Sequence, residues 1–176
     1  YGFFRDEAQL AVVFVSDETD CSYSPGTKEI FTTNKVFWND PQNDMAPTSA
    51  MCWKAGVKCE GDGPTYASCV AENYDSKGAP GAADADAVLR PVQGYIDFVE
   101  TIEQQKQKAD PSQEVLVSMI AGVPQGYEKG ELPVVYEDSD DPEFQTNFGI
   151  GPGCVLPSGD TMVPDSTAVP PVRERE

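Results

Sequence analysis

Histidine does not occur among the 176 residues. Its absence removes Ser-His-Asp and Cys-His nucleophilic chemistry and the HExxH zinc motif together, since each needs an imidazole. Basic residues are scarce as well: 12 Lys and Arg against 30 Asp and Glu give a formal charge of −18. Such a surface repels the phosphates of nucleic acids and anionic membranes. It suits solubility in a salty or extracellular medium, divalent cations, or a basic partner. No apolar run approaches the roughly 20 residues of a membrane helix. A phosphate loop is lacking too, because "GIGPG" at 149–153 contains a proline and opens no helix. Residue 1 does not open a basic-then-apolar leader, so the sequence is expected to be a mature, processed or internal stretch. Carboxylate pairs could in principle run glycoside hydrolysis. With 30 acids such pairs arise by chance, and a carboxylate-dependent secreted hydrolase is the least favoured of three readings. No enzyme is expected.

What is present suits one domain with a real core. Residues 10–15, Leu-Ala-Val-Val-Phe-Val, form a continuous apolar run rich in β-branched side chains. Continuous rather than alternating hydrophobicity predicts a strand buried on both faces, as in a parallel sheet. Residues 115–120, Val-Leu-Val-Ser-Met-Ile, repeat the signature. Between them a helix is expected over about 91–108. Pro91 suits its first position, and Val92, Tyr95, Ile96, Val99 and Ile102 mark one face. Lys106 and Lys108 lie where positive charge meets the helix dipole favourably. Strand, helix and strand joined by a long crossover predict an α/β fold with a mostly parallel sheet. After Pro124 the chain reads as loop, with a short strand at 133–136, and "PPVRERE" at the end reads as the start of another helix.

The five cysteines, Cys21, Cys52, Cys59, Cys69 and Cys154, include no CxxC pair. The spacing Cys52-x6-Cys59-x9-Cys69 fits no usual zinc site, so disulfides and an oxidising compartment are expected. Residues 21–89 hold four of the cysteines among many Gly, Pro, Asn and Asp, and read as an irregular, disulfide-stapled insertion. Connectivity stays open. Cys154 pairs with one of the four, stays free, or pairs outside the chain.

The stretch "GFFRDEAQLAVVFVSDETDCS" resembles the fourth strand and following loop of von Willebrand factor A-like domains, in a bacterial branch of secreted proteins and lipoproteins. Further segments agree in the same order. "MCWKAGVKC" at 51–59 with Cys69 is similar to the cysteine-bearing insertion of that branch. Leu89 through Pro111 resembles its helix, and "VLVSMIAGVP" at 115–124 its fifth strand. "CVLPSGDTMVPDSTAVPPVRERE" resembles the passage into the last helix. The resemblance implies a Rossmann-like sheet of which residues 1–176 are a partial domain, the C-terminal half. It also implies a secreted, periplasmic or cell-surface setting in a bacterium.

In such domains a divalent ion takes oxygens from a DxSxS loop, from a Thr in a second loop and from an Asp after the fourth strand. Asp17 stands in that last position, followed by Glu18 where related domains have Gly. DxSxS is absent, since "DPSQE", "DSKGA" and "DSTAV" all miss the spacing. Asp17 and Asp20 are therefore the candidate ligands for Mg²⁺ or Ca²⁺. The competing reading is that both cap a polar loop through Asx-type hydrogen bonds. "YEDSDDPE" at 136–143 offers Asp138, Asp140 and Asp141 but lacks the Gly and distal Glu of an EF-hand. A solvated loop is expected there. Phe31, Phe37, Trp38 and Trp53 are expected to pack as core against the disulfides. The function implied is a non-enzymatic, extracellular adhesion or interaction module with a protein partner, metal-assisted where the rest of the site is present. The alternative is a structural subunit of an assembly whose other chains complete the sheet.

Overall fold

The apolar runs at 10–15 and 115–120 lie side by side as parallel strands in a computed structural model. It describes residues 5, 7–16, 19–39, 47–120, 129 and 135–152, and the backbone of 155–158 and 161–164. In chain order the elements are β1 (Leu10–Val15), a 3-10 turn (Lys28–Phe31), α1 (Ala50–Gly56), β2 (Val57–Glu60), β3 (Thr65–Tyr66) and β4 (Ser68–Ala71). Then come α2 (Gln93–Ala109), β5 (Val115–Ile120), β6 (Tyr136–Glu137), α3 (Pro142–Phe148), β7 (Val155–Ser158) and β8 (Thr161–Pro164). The chain is mixed α/β with small sheets, one of them a parallel pair. It divides into two compact units, Tyr1–Ser16 with Pro91–Ala121 and Asp17–Arg90 with Gly122–Glu176.

In the first unit β1 and β5 run in register from Leu10 opposite Val115 to Val15 opposite Ile120. Alternation puts Leu10, Val12, Phe14, Val115, Val117 and Met119 on one face. Ala11, Val13, Val15, Leu116, Ser118 and Ile120 share the other. Helix α2 supplies the crossover and packs on β5. It begins at Gln93, two residues later than Pro91 suggests, with Val92 as its N-cap. Its covered stripe is Ile96, Val99, Ile102, Glu103, Lys106 and Gln107, at the i, i+3, i+7 spacing of one helical face. Tyr95 lies outside that stripe and is exposed, because one residue turns the helix by about 100°.

Lys106 has a second task besides its place near the dipole. Its side chain is 3% exposed, and its ammonium donates to the carbonyls of Arg5 and Ala8, each at 2.6 Å. The approach to β1 is thereby stapled to α2. Glu103 does the same for β5, accepting from the Val115 amide at 3.1 Å, while Gln107 donates to the Gln113 carbonyl at 3.1 Å.

The second unit is built on α1, whose sequence Ala-Met-Cys-Trp-Lys-Ala-Gly is apolar almost all round and is buried accordingly. One side of it joins Ile30, Phe37 and Val88 through Met51, Cys52 and Ala55, with Phe31, Trp38 and Tyr74 packed against that cluster. Trp53 points into a second cluster with Cys69 and Ile150. Of the aromatic residues expected as core of the insertion, Phe37 and Trp53 are buried, while Phe31 and Trp38 are half-buried against the larger cluster. Strands β2 and β4 pair antiparallel, as do β3 and β6 and β7 and β8.

Three features were not expected from composition: α1, the β7–β8 pair at 155–158 and 161–164, and α3. The last two lie in a stretch that reads as loop. The signal for α3 is nevertheless in the sequence. Asp141 caps it, accepting from the amides of Glu143 and Phe144 at 2.9 and 3.3 Å, and Pro142 takes the first turn. The helix stops at Gly149, whose φ of 80° suits glycine. A Cβ there would also meet Ala50 and Trp53 at 3.2–3.3 Å. The strand expected at 133–136 appears as Tyr136–Glu137, while 133 and 134 lie outside the described residues. The helix expected at "PPVRERE" lies outside them too.

Candidate functional site

The acids that follow β1 were the first candidates for a metal. Asp17 and Glu18 lie outside the described residues. Asp20 is described, and its Oδ1 accepts the Ser22 amide at 2.8 Å, the local Asx geometry that turns a chain. Of the acids of 136–143, Asp138 and Asp141 are likewise occupied with neighbours and with the backbone. Asp138 Oδ1 accepts from the Tyr66 hydroxyl at 3.0 Å and from Gln145 Nε2 at 2.9 Å. Burial, with the Asp138 bond and charge behind it, raises the Tyr66 hydroxyl above its ordinary pKa. Asp141 is the α3 cap. Among the described residues no group of three or more Cys, Asp or Glu is placed to hold a metal ion.

Other turns use carboxylates in the same way. Backbone amides of Ala79 and Lys77 hold the Asp75 carboxyl below its usual range. The backbone amide and hydroxyl of Ser112 do so for Asp110. These acids shape loops.

Two disulfides resolve the cysteine question for four of the five. Cys21 bonds to Cys52 across 31 residues, and Cys59 to Cys69 across the β2–β4 pair, where they stand directly opposite. Because the four pair among themselves, Cys154 has no partner among them; it lies outside the described residues. Among the described residues no helix is long and apolar enough to cross a membrane.

The feature that sequence reasoning missed is exposure. Both strands of the parallel pair were expected to be buried on both faces, and they are not. Val13, Phe14, Leu116 and Val117 are about half exposed, Ile120 is 62% exposed and Val15 73%. Burying a parallel strand takes helices over both faces and a neighbour on each edge. Among the described residues, α2 packs over part of one face, against β5, and each strand has a single neighbour. The face of Ala11, Val13, Val15, Leu116, Ser118 and Ile120 is exposed at every position. Five of its six side chains are apolar. Tyr95 and Phe98 on α2 are exposed as well, but belong to the helix and not to this strand face. Isolated exposed apolar residues are ordinary on protein surfaces, but contiguous ones mark contact sites.

No protein-family profile, curated protein or solved structure matches the chain.

Proposed function

We propose that this chain is a non-enzymatic protein-interaction module of the extracellular or periplasmic space, of von Willebrand factor A-like type. In this reading its parallel pair is part of a larger Rossmann-like sheet and meets a polypeptide partner through the uncovered face. The single observation that carries the reading is the exposure of a continuous apolar strand pair, Val13, Val15, Leu116 and Ile120 together. The two disulfides fit an oxidising compartment. Lack of histidine weighs against most hydrolytic chemistry. Metal assistance through Asp17 remains the part of the proposal that rests on the sequence resemblance alone.

Charge selects the occupant. Acids outnumber bases in the described part of the same unit: Glu7, Asp97, Glu100, Glu103, Asp110 and Glu114 against Arg5, Lys106 and Lys108. A second copy would bring −18 against −18. The fitting partner is therefore a different polypeptide, laid against the uncovered face with apolar side chains on one side and Lys or Arg at its margins.

An alternating Lys-Val peptide is a direct probe, with an alternating Glu-Val peptide as control. The expected result is saturable binding of the first alone, lost in a Val13→Lys/Leu116→Lys variant. Binding that survives in the variant is ordinary charge attraction and would overturn the proposal, as would no binding at all.

A further inference from the structure

A second surface of the molecule carries its own signal, in the unit that contains residues 17–90. An open cleft of about 870 Å³ is lined by Asp20, Cys21, Tyr23, Lys28, Glu29 and Arg90, among others. Its walls are fixed. The Ser24 amide donates to the Val88 carbonyl at 2.9 Å and the Arg90 amide to the Ser22 carbonyl at 2.8 Å. The Thr27 hydroxyl donates to the Val88 carbonyl at 2.8 Å. Cys21 is bonded to Cys52, and Ile30, Cys52 and Val88 are core beneath.

Among the described residues the cations of this cleft form no ion pair, although Asp20 and Glu29 share the lining. Arg90 Nε donates to the Tyr23 carbonyl at 3.2 Å, which orients the guanidinium plane and leaves both terminal amino groups uncommitted. Among the described residues no carboxylate pairs with Arg90 or with Lys28, although the chain has 30 acids for its 12 bases. Asp20, on the same lining, already accepts the Ser22 amide. A pre-oriented guanidinium with two free donors matches one chemical group best, a planar carboxylate gripped by two parallel hydrogen bonds.

We infer that this cleft binds a single carboxylate, held two-pronged by Arg90 and by the charge of Lys28. Asp20 and Glu29 on the lining oppose phosphates and polyanions, which carry more negative charge than two cations offset. The carboxylate comes from a peptide C-terminus or from a small organic acid.

Both sources are tested by ¹H–¹⁵N NMR titration at constant ionic strength, using triglycine, triglycine amide and sodium acetate. The expected result is saturable shifts at the Arg90 side chain and the Ser22 and Tyr23 amides with triglycine, acetate or both, and about tenfold weaker binding of the amide than of triglycine. Triglycine binding more tightly than acetate identifies a peptide terminus; equal affinities identify a small acid. Arg90→Gln should weaken binding about tenfold. Lys28→Gln, at an exposed position that leaves the fold intact, should weaken it about threefold. Shifts that do not saturate with any probe would overturn the inference. So would affinity unchanged in the Lys28→Gln variant.

Discussion

Replacing Cys21 and Cys52 together by serine is expected to lower the stability of the unit that contains them by about 3–4 kcal/mol. The bridge closes 31 residues, and the chain entropy released to the unfolded state grows with the length of the loop set free. It also ties the stretch after β1 to α1, where Cys52 is 2% exposed within the larger core cluster. Serine there would bury a hydroxyl in place of sulfur, adding to the loss. The Cys59–Cys69 bridge closes only 10 residues and joins strands that already pair, so its double serine variant should lose less, about 2–3 kcal/mol. Denaturant unfolding followed by fluorescence reads both, since Trp38 and Trp53 pack in or against the two core clusters. A larger loss in the Cys59/Cys69 variant would contradict this ordering.

Lys106→Met is the other substitution with a large expected effect, about 2–3 kcal/mol of lost stability in the β1–α2–β5 unit. Methionine keeps the apolar stem and its packing. It removes the ammonium that holds the Arg5 and Ala8 carbonyls, two charge-assisted hydrogen bonds made at a buried side chain. Lys108 stands in the same last turn of α2 but is exposed. Lys108→Met should change stability by about 0.5 kcal/mol or less. Equal, small effects at the two positions would mean that both lysines act only on the helix dipole. Native-state hydrogen exchange at β1 separates the outcomes: the staple predicts faster exchange there for Lys106→Met alone.

How far the sequence is legible depends on how local each cause is. The pairing of 10–15 with 115–120 can be read because β-branched apolar runs, a helical crossover and its turn are local patterns that agree with one another. Disulfides are legible in kind, since no histidine or zinc spacing competes for the thiols, but not in connectivity, which depends on what α1 brings near Cys21. Exposure is not legible. An apolar run has the same letters whether or not something covers it, and Val15 and Ile120 look like core until the neighbours are counted. Lys106 is hidden for a similar reason: its partners are two main-chain carbonyls about a hundred residues earlier, which no side-chain pattern announces. The α3 helix could have been found from Asp141-Pro142-Glu143, a cap, a first-turn proline and an acid at the positive end of the dipole. Its acidic surroundings disguise it as a solvated loop.

For the candidate site the reverse holds. The acids after β1 and at 136–143 attract notice because they are charged, yet Asp20, Asp138 and Asp141 spend at least one oxygen each on local hydrogen bonds. The surface that carries the functional proposal is uncharged, and the unpaired cations of the cleft lie at positions 28 and 90, brought together only by folding.

The most direct test of the central claim is to place two lysines on the uncovered face, Val13→Lys with Leu116→Lys, and measure equilibrium stability and binding of a hydrophobic fluorescent dye by the same chain. If that face is open, the unaltered chain binds dye, the variant loses most of that binding, and stability changes by no more than about 1 kcal/mol for the two surface substitutions. If the chain binds no dye, or the variant loses several kcal/mol because lysine has entered a closed core, the face is covered by the protein itself and the interaction module proposed here is wrong.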